Sequence, residues 1–320
     1  MSNTIKNQYN PEVYSAPGET VEETIEYLGM PLAELSERTD ISEKTLNDII
    51  NGEGLLTPEV ALKLELALDV PADFWLNMER NYRESLARLA EKQRLESQVE
   101  WLKFFPIQAM TELNWVRRGK NQVEQLKELL CFFGIAATAT WQKLWGKTAY
   151  FQSPTFQRHP QAVSAWLRQG ERLAQKMVYE PYNVSLFQTI LPQIRALTTQ
   201  SPNIFVPKIQ RVCAQAGVAV VFVPELPQVE ITTITRRTTE RQALIQFSER
   251  YQNDGNFWLT FFQQVGHLLL PGNKQIFLED ALEDNQIAQE FAAKQLIPEA
   301  ERGQFALTSH TPTHPQSLSI

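Results

Sequence analysis

The chain has 320 residues, 43% of them hydrophobic, 10% aromatic and 21% charged, with a net charge of -7. That is room for two domains and enough apolar material for a packed core, which excludes wholesale disorder. Two cysteines exclude a disulfide scaffold and a multi-cysteine zinc site, while no run of about eighteen apolar residues and no apolar core in the opening MSNTIKNQYN leave the chain read as cytoplasmic, without a membrane span.

Residues 1–18 are polar, carry Pro11 and Pro17, and read as an N-terminal arm. Residues 20–28 predict a helix: Val21, Ile25 and Leu28 recur at helical spacing, Glu22 and Glu23 suit its positive end, and Gly29 stops it. A second helix is expected over 31–39, with Pro31 in its first turn and Leu32 and Leu35 facing inward. Asp40-Ile41 form a turn, and Ser42 caps a third helix over 42–50 that Asn51-Gly52 closes. Thr57 caps a fourth, with Pro58 in the first position and Ala61, Leu62, Leu64, Leu66 and Leu68 as its apolar residues. From Pro71 a fifth, longer helix continues through Arg94, with Phe74, Trp75 and Met78 packing back. Two short helices joined by a tight turn inside such a set are a helix-turn-helix architecture, a plain helical bundle being the alternative.

Residues 99–200 read as a helical, aromatic-rich connector with helices over 122–133, 162–178 and 183–197. The last unit, 201–300, opens at Ser201-Pro202. It carries a helix over 207–216 stopped by Gly217, a buried strand over 218–223 (VAVVFV), and strands over 230–235 and 243–247. An apolar helix over 256–270 and an amphipathic one over 284–296, closed by Pro298, follow, and residues 301–320 read as a disordered tail. The fold class is therefore mainly α, with a small sheet in a C-terminal α+β domain.

Charge is unevenly distributed. Residues 19–69 hold 13 acids and 3 bases, residues 101–250 hold 18 bases and 9 acids, and residues 251–320 hold 3 bases and 8 acids. Either these are ordinary solvated faces or the basic middle meets something acidic, in this protein or in nucleic acid.

The opening PGET, the LAELS of the second helix, the IING that closes the third and the exit FWLNMERNY together resemble the Xre-type helix-turn-helix of HigA-like antitoxins. GVAVVFVPELP, LIQFSERYQNDGNFWLTFFQQVGHLLLPG and EDNQIAQEFAAKQLIP are similar in order and spacing to the zincin-like ImmA/IrrE peptidase domains. The resemblance implies a two-domain regulator: residues 19–98 a DNA-binding domain with a long exit helix, residues 201–300 a peptidase-like domain.

The chemistry of that second family needs His-Glu-x-x-His on a helix, two imidazoles on one face for zinc and a glutamate to activate water. The aligned stretch here reads Gln263-Gln264-Val265-Gly266-His267, the third-ligand position falls on Asn285, and Pro271 stands where relatives often carry another histidine. A glutamine amide is a poor zinc ligand and cannot act as a general base. The other histidines are His159, His310 and His314, and neither the pair at 310 and 314 nor His267 with Glu283 or Asp284 makes a complete zinc site. The expectation is a pseudo-peptidase with no metal and no cofactor, in which Gln263 and Gln264 fill the old site by bonding each other.

In a helix-turn-helix the start of the second helix meets base edges. The candidates are Ser42, Lys44, Thr45 and Asn47, with Asn47 suited to adenine and Lys44 to guanine or phosphate. Asp40, Glu43, Asp48 and Glu53 surround them and oppose phosphate, so help is expected from Arg80, Arg83 and Arg88 and from dimerisation. The reading is a regulator or antitoxin that binds operator DNA as a homodimer and a protein partner, such as a toxin or regulatory peptide, without cleaving it. An active zinc peptidase and a pure interaction module are the alternatives.

Overall fold

The structure is a computed structural model that describes residues 14–146, 153–239, 241–249, 256–269, 276–278 and 285–297. The chain divides after Val99 into two compact units.

The first unit is five helices: α1 (Pro17–Tyr27), α2 (Leu32–Thr39), α3 (Glu43–Ile50), α4 (Pro58–Leu68) and α5 (Ala72–Glu96). Their ends obey local chemistry. Met30 N–H donates to Ile25 O and Gly29 N–H to Glu26 O, with Gly29 at φ +63°, the paired bonds of a Schellman stop. Asp69, at φ 56°, ends α4. Val21, Leu35, Leu46, Ile49, Leu64 and Trp75 form one core. The expected arm is shorter than read. Residues 1–13 lie outside the described residues, but Tyr14 N–H donates to Ser85 Oγ and Pro17 and Gly18 are buried at the start of α1, because Gly18 lies against the end of α3. Phe74 is exposed rather than packed back, although its ring stands T-shaped to that of Trp75, and Leu62 and Leu66 of α4 face solvent.

The second unit begins within a 3-10 turn (Val99–Phe104) and runs α6 (Ile107–Glu112), α7 (Gln122–Phe133), α8 (Thr138–Trp145), α9 (Pro154–Arg158), α10 (Pro160–Ala174), α11 (Val184–Arg195) and α12 (Pro202–Gln215). Strands β1 (Val218–Val223), β2 (Thr233–Thr239) and β3 (Gln242–Ser248), helix α13 (Phe257–Leu269), strand β4 (Ile276–Leu278) and helix α14 (Asn285–Leu296) complete it. The sheet order is β1-β3-β2-β4, with β1 parallel to β3 and the other pairs antiparallel.

Strand alternation splits the sheet into two faces. Val218, Val220, Ala243, Ile245 and Phe247 enter a core built with α11, α12, α13 and α14. The opposite face meets α10: Gln246 Nε2 donates to Trp166 O at 2.8 Å and Arg236 Nη2 to Leu167 O at 2.8 Å. Residue 200 is therefore no break in packing, since a connector helix forms one layer on the sheet.

Several element bounds differ from the sequence reading. Helix α12 starts at Pro202 rather than 207, with Pro207 inside it. The missing N–H removes the helical bond to the carbonyl of Asn203, an exposed residue. Strand β2 begins three residues later than expected and runs through Arg236, a residue that reads as a strand end until α10 supplies its partners. Helix α10 stops at Ala174, four residues early. Helices α6, α8 and α9 and strand β4 had no clear signal. Residues 301–320 and Pro298 lie outside the described residues.

Candidate functional site

Helix α3 is set by its cap. Ser42 is extended, at φ -61° and ψ 144°; its Oγ accepts from Thr45 N–H at 3.1 Å and lies 2.8 Å from Thr45 Oγ1. Leu46 and Ile49 anchor one side in the core, which leaves Ser42, Lys44, Thr45 and Asn47 all exposed. Lys44 and Asn47 are three apart and share a face of the helix. The turn before it is tight: Asp40 takes φ 51°, Ser36 Oγ donates to Ile41 O at 2.5 Å, and Lys63 Nζ donates to Asp40 O at 3.1 Å.

The carboxylates around α3 are not equivalent. Asp40, Glu43 and Glu53 are exposed, whereas Asp48 is half-buried. The cations expected to offset them are partly engaged. Arg88 pairs with Glu84 at 2.5 Å, and Arg83 Nε pairs with Glu79 Oε1 at 2.8 Å while its Nη2 donates to Gly54 O. Arg80 is exposed.

On α13, Gln264 and His267 are buried, 3% and 8% exposed, and Gln263 is half-buried. The amides do not bond each other as expected. Thr235 Oγ1 donates to Gln264 Oε1 at 2.7 Å and Gln264 Nε2 donates to Thr233 Oγ1 at 3.2 Å. The pairing follows from strand alternation, which puts both threonines on the face of β2 that meets α13. Gly266 allows close packing of α13 and α14, since a Cβ there would lie 3.3 Å from Ala288 Cα. Asn285 heads α14; Pro271, Glu283, Asp284, His310 and His314 lie outside the described residues.

These residues do not fit zinc. The peptidase pattern needs two imidazoles and a carboxylate, and here one imidazole stands with two amides, one of them bonded at both polar atoms. Among the described residues no three His, Cys, Asp or Glu side chains gather as a possible metal site.

Residues 26–75 match the helix-turn-helix family. YddM of Escherichia coli K12, described as an uncharacterized HTH-type transcriptional regulator, is 33% identical over 76 residues, which are 24% of this chain and 78% of that protein. The chain belongs to the helix-turn-helix family. Virulence-associated protein A of Dichelobacter nodosus is 37% identical over 59 residues, 18% of this chain and 58% of that protein. Among solved structures, a HigA-family addiction module antidote protein from Coxiella burnetii is 26% identical over 27% of this chain and 94% of its own, with a TM-score of 0.25. An antidote protein of a plasmid maintenance system from Nostoc punctiforme is 26% identical over 27% of this chain and 93% of its own, with a TM-score of 0.26.

Outside the helix-turn-helix domain, sequence reasoning missed the polar network under α10. Arg236, 3% exposed, pairs with Glu171 Oε1 at 2.9 Å, and Glu171 Oε2 also meets Arg168 Nη1 at 2.7 Å. The alternation Thr233-Ile234-Thr235-Arg236 carries the signal: two hydroxyls on one face of a strand and a guanidinium on the other. Among the described residues no helix is long and apolar enough to cross a membrane.

Proposed function

We propose that this protein is a DNA-binding transcription regulator of the HigA-like antitoxin type, which places α3 in the major groove of operator DNA as a homodimer. The observation that carries this reading is a capped α3 with Ser42, Lys44, Thr45 and Asn47 all exposed, inside the span that matches the helix-turn-helix family. The name of YddM as a transcriptional regulator supports it. Asn47 reads adenine by paired hydrogen bonds, Lys44 reaches guanine or a phosphate, and the hydroxyls of Ser42 and Thr45 contact the backbone. Exposed Asp40, Glu43 and Glu53 repel phosphate, so non-specific binding is weak and discrimination rests on the base contacts. Leu62 and Leu66, four apart and exposed on α4, are apolar material for a subunit contact.

The test is a gel shift with the duplex upstream of the protein's own gene. Retardation is expected for the wild type and its loss for Asn47→Ala. An unshifted duplex at every protein concentration overturns the reading and leaves the pure interaction module, which the exposed carboxylates favour.

Residues 201–300 of the second unit are proposed as a peptidase-like domain without hydrolytic chemistry that binds a protein partner, such as a toxin or regulatory peptide. The engaged amide of Gln264 supports this against the active zinc peptidase. Elemental analysis of the purified chain is expected to find no stoichiometric zinc, and about one zinc per chain lost on His267→Ala would sink it.

A further inference from the structure

We infer that Arg83 is a positioning residue for the DNA-reading helix, a strut from α5 to the turn that ends α3, and not a phosphate ligand. The inference rests on the proposed DNA-binding reading. Three observations converge on the turn at residues 51–54. Its backbone closes α3 from below: Gly52 N–H donates to Ile49 O at 3.0 Å, and Glu53 and Gly54 N–H both donate to Asp48 O, at 2.9 and 2.6 Å. The two glycines are each fitted to a neighbour. Gly52 has φ +74° and lies where a Cβ would come within 2.7 Å of the Tyr82 hydroxyl; at Gly54 a Cβ would lie 2.9 Å from Ile49 N. Arg83, next to Tyr82 on α5, then holds the outer side of the turn, with Nη2 donating to Gly54 O and Nε donating to Glu79 Oε1 at 2.8 Å.

The orientation of the guanidinium is fixed by what it neutralises. Glu79 is nine-tenths buried, and its Oε2 has no hydrogen-bond partner among the described residues. Swinging Arg83 out to a phosphate strands that carboxylate and frees Gly54 O together, which costs more than an exposed phosphate contact returns. The fork geometry also explains the residue type. A guanidinium reaches a carboxylate and a carbonyl at once through two donors held in a fixed fork on a half-buried stem, whereas a lysine ammonium is a single point charge without that fixed geometry.

Phosphate ligands and struts leave different signatures in salt. Losing a phosphate contact lowers the magnitude of the slope of log K against log[salt] by about one unit, whereas losing a strut lowers affinity at every salt concentration and leaves the slope alone. The experiment compares full-length wild type, Arg83→Ala, Arg83→Lys and the double variant Glu79→Gln/Arg83→Ala, which removes the stranded charge. The probes are the duplex upstream of the gene over a salt series and amide hydrogen exchange at Gly52, Glu53 and Gly54. Arg83→Ala is expected to weaken binding about tenfold, the worth of one charge-assisted hydrogen bond, with parallel salt lines and faster exchange in the turn. Arg83→Lys is expected to recover part of both. The double variant is expected to regain thermal stability but not affinity. A slope reduced by about one unit makes Arg83 a phosphate ligand and overturns the proposal. Unchanged exchange in both Arg83→Ala and the double variant overturns it as well, and does so even where the wild type binds no duplex and the DNA reading itself has failed.

Discussion

Alanine outranks glycine inside a helix by about 1 kcal/mol, so Gly18 in the first turn of α1 runs against local preference. Its backbone presses on the last turn of α3: a Cβ there would collide with Ile49 O and Ile50 Cα, atoms of main chain that has no side-chain freedom to yield. The clash decides the sign. Gly18→Ala is expected to destabilise the first unit by roughly 1–3 kcal/mol, the range for overpacking, and a lowered denaturation midpoint checks it. A midpoint raised by the propensity gain refutes the contact. Gln264 gives a second residue-scale prediction with a pH sign. In Gln264→Glu the protonated acid keeps both threonine bonds, while the ionised form is a carboxylate buried in an apolar core. Burial raises its folded pKa above the unfolded value of about 4.3, so the native state binds more protons and stability falls as pH rises past that value. The variant is expected to melt near wild type at pH ~4 and progressively lower toward neutrality. A gap between variant and wild type that does not change with pH places that side chain in water and rejects the buried pairing.

At the scale of elements, what was legible was what the chain writes locally. Ser42, Thr57 and Gly29 announce three helix ends because a cap side chain or a left-handed glycine acts within a few residues. That Ser42, Lys44, Thr45 and Asn47 lie outward was legible for the same reason, since a capped helix with Leu46 and Ile49 inward leaves only certain positions exposed. Pro207 misleads because proline is commoner at a helix start than inside one; here the carbonyl it orphans belongs to an exposed residue, which removes only part of its cost. Strand alternation puts Arg236 on the face opposite the threonines, but the partners that bury Arg236 and Gln246 were illegible. Nothing near them in sequence pairs them; Leu167 O, Glu171 and Trp166 O come from α10, about 65 to 80 residues away. The bonding of Gln264 to β2 rather than to Gln263 depends likewise on the register of a strand against a helix. The α10 face carries its own prediction. Gly170 lies against the buried Gln246 side chain, whose Oε1 has no partner among the described residues, and a Cβ at 170 would overlap that amide. Gly170→Ala is expected to cost about 1–3 kcal/mol, and Gln246→Ala in the same chain is expected to return part of it through a non-additive double-mutant cycle. Strict additivity in thermal or denaturant melts separates the two residues and refutes the overlap.

On the scale of the whole molecule, the charge division and the structural division coincide. The acidic stretch 19–69, with 13 acids to 3 bases, lies in the first unit, and the basic stretch 101–250, with 18 bases to 9 acids, lies in the second. The first unit has a core of its own, so a fragment of residues 1–99 is expected to fold alone and melt cooperatively. If it carries all of the DNA contacts, it binds the upstream duplex as tightly as the full chain and with the same salt slope. The first unit is poorly placed to do so. Lys44 is its lone base between Arg38 and Lys63, and Arg83 and Arg88 are spent on Glu79 and Glu84. Each phosphate neutralised adds about 0.9 to the magnitude of the slope, so cations supplied by the second unit show directly in that slope. The fragment is therefore expected to keep sequence preference, because base readout resides in α3, while losing affinity and showing a shallower salt dependence than the full chain. Matching affinities and matching slopes for fragment and full chain instead assign the basic stretch to another partner, and leave DNA binding wholly to five helices with an acidic surface.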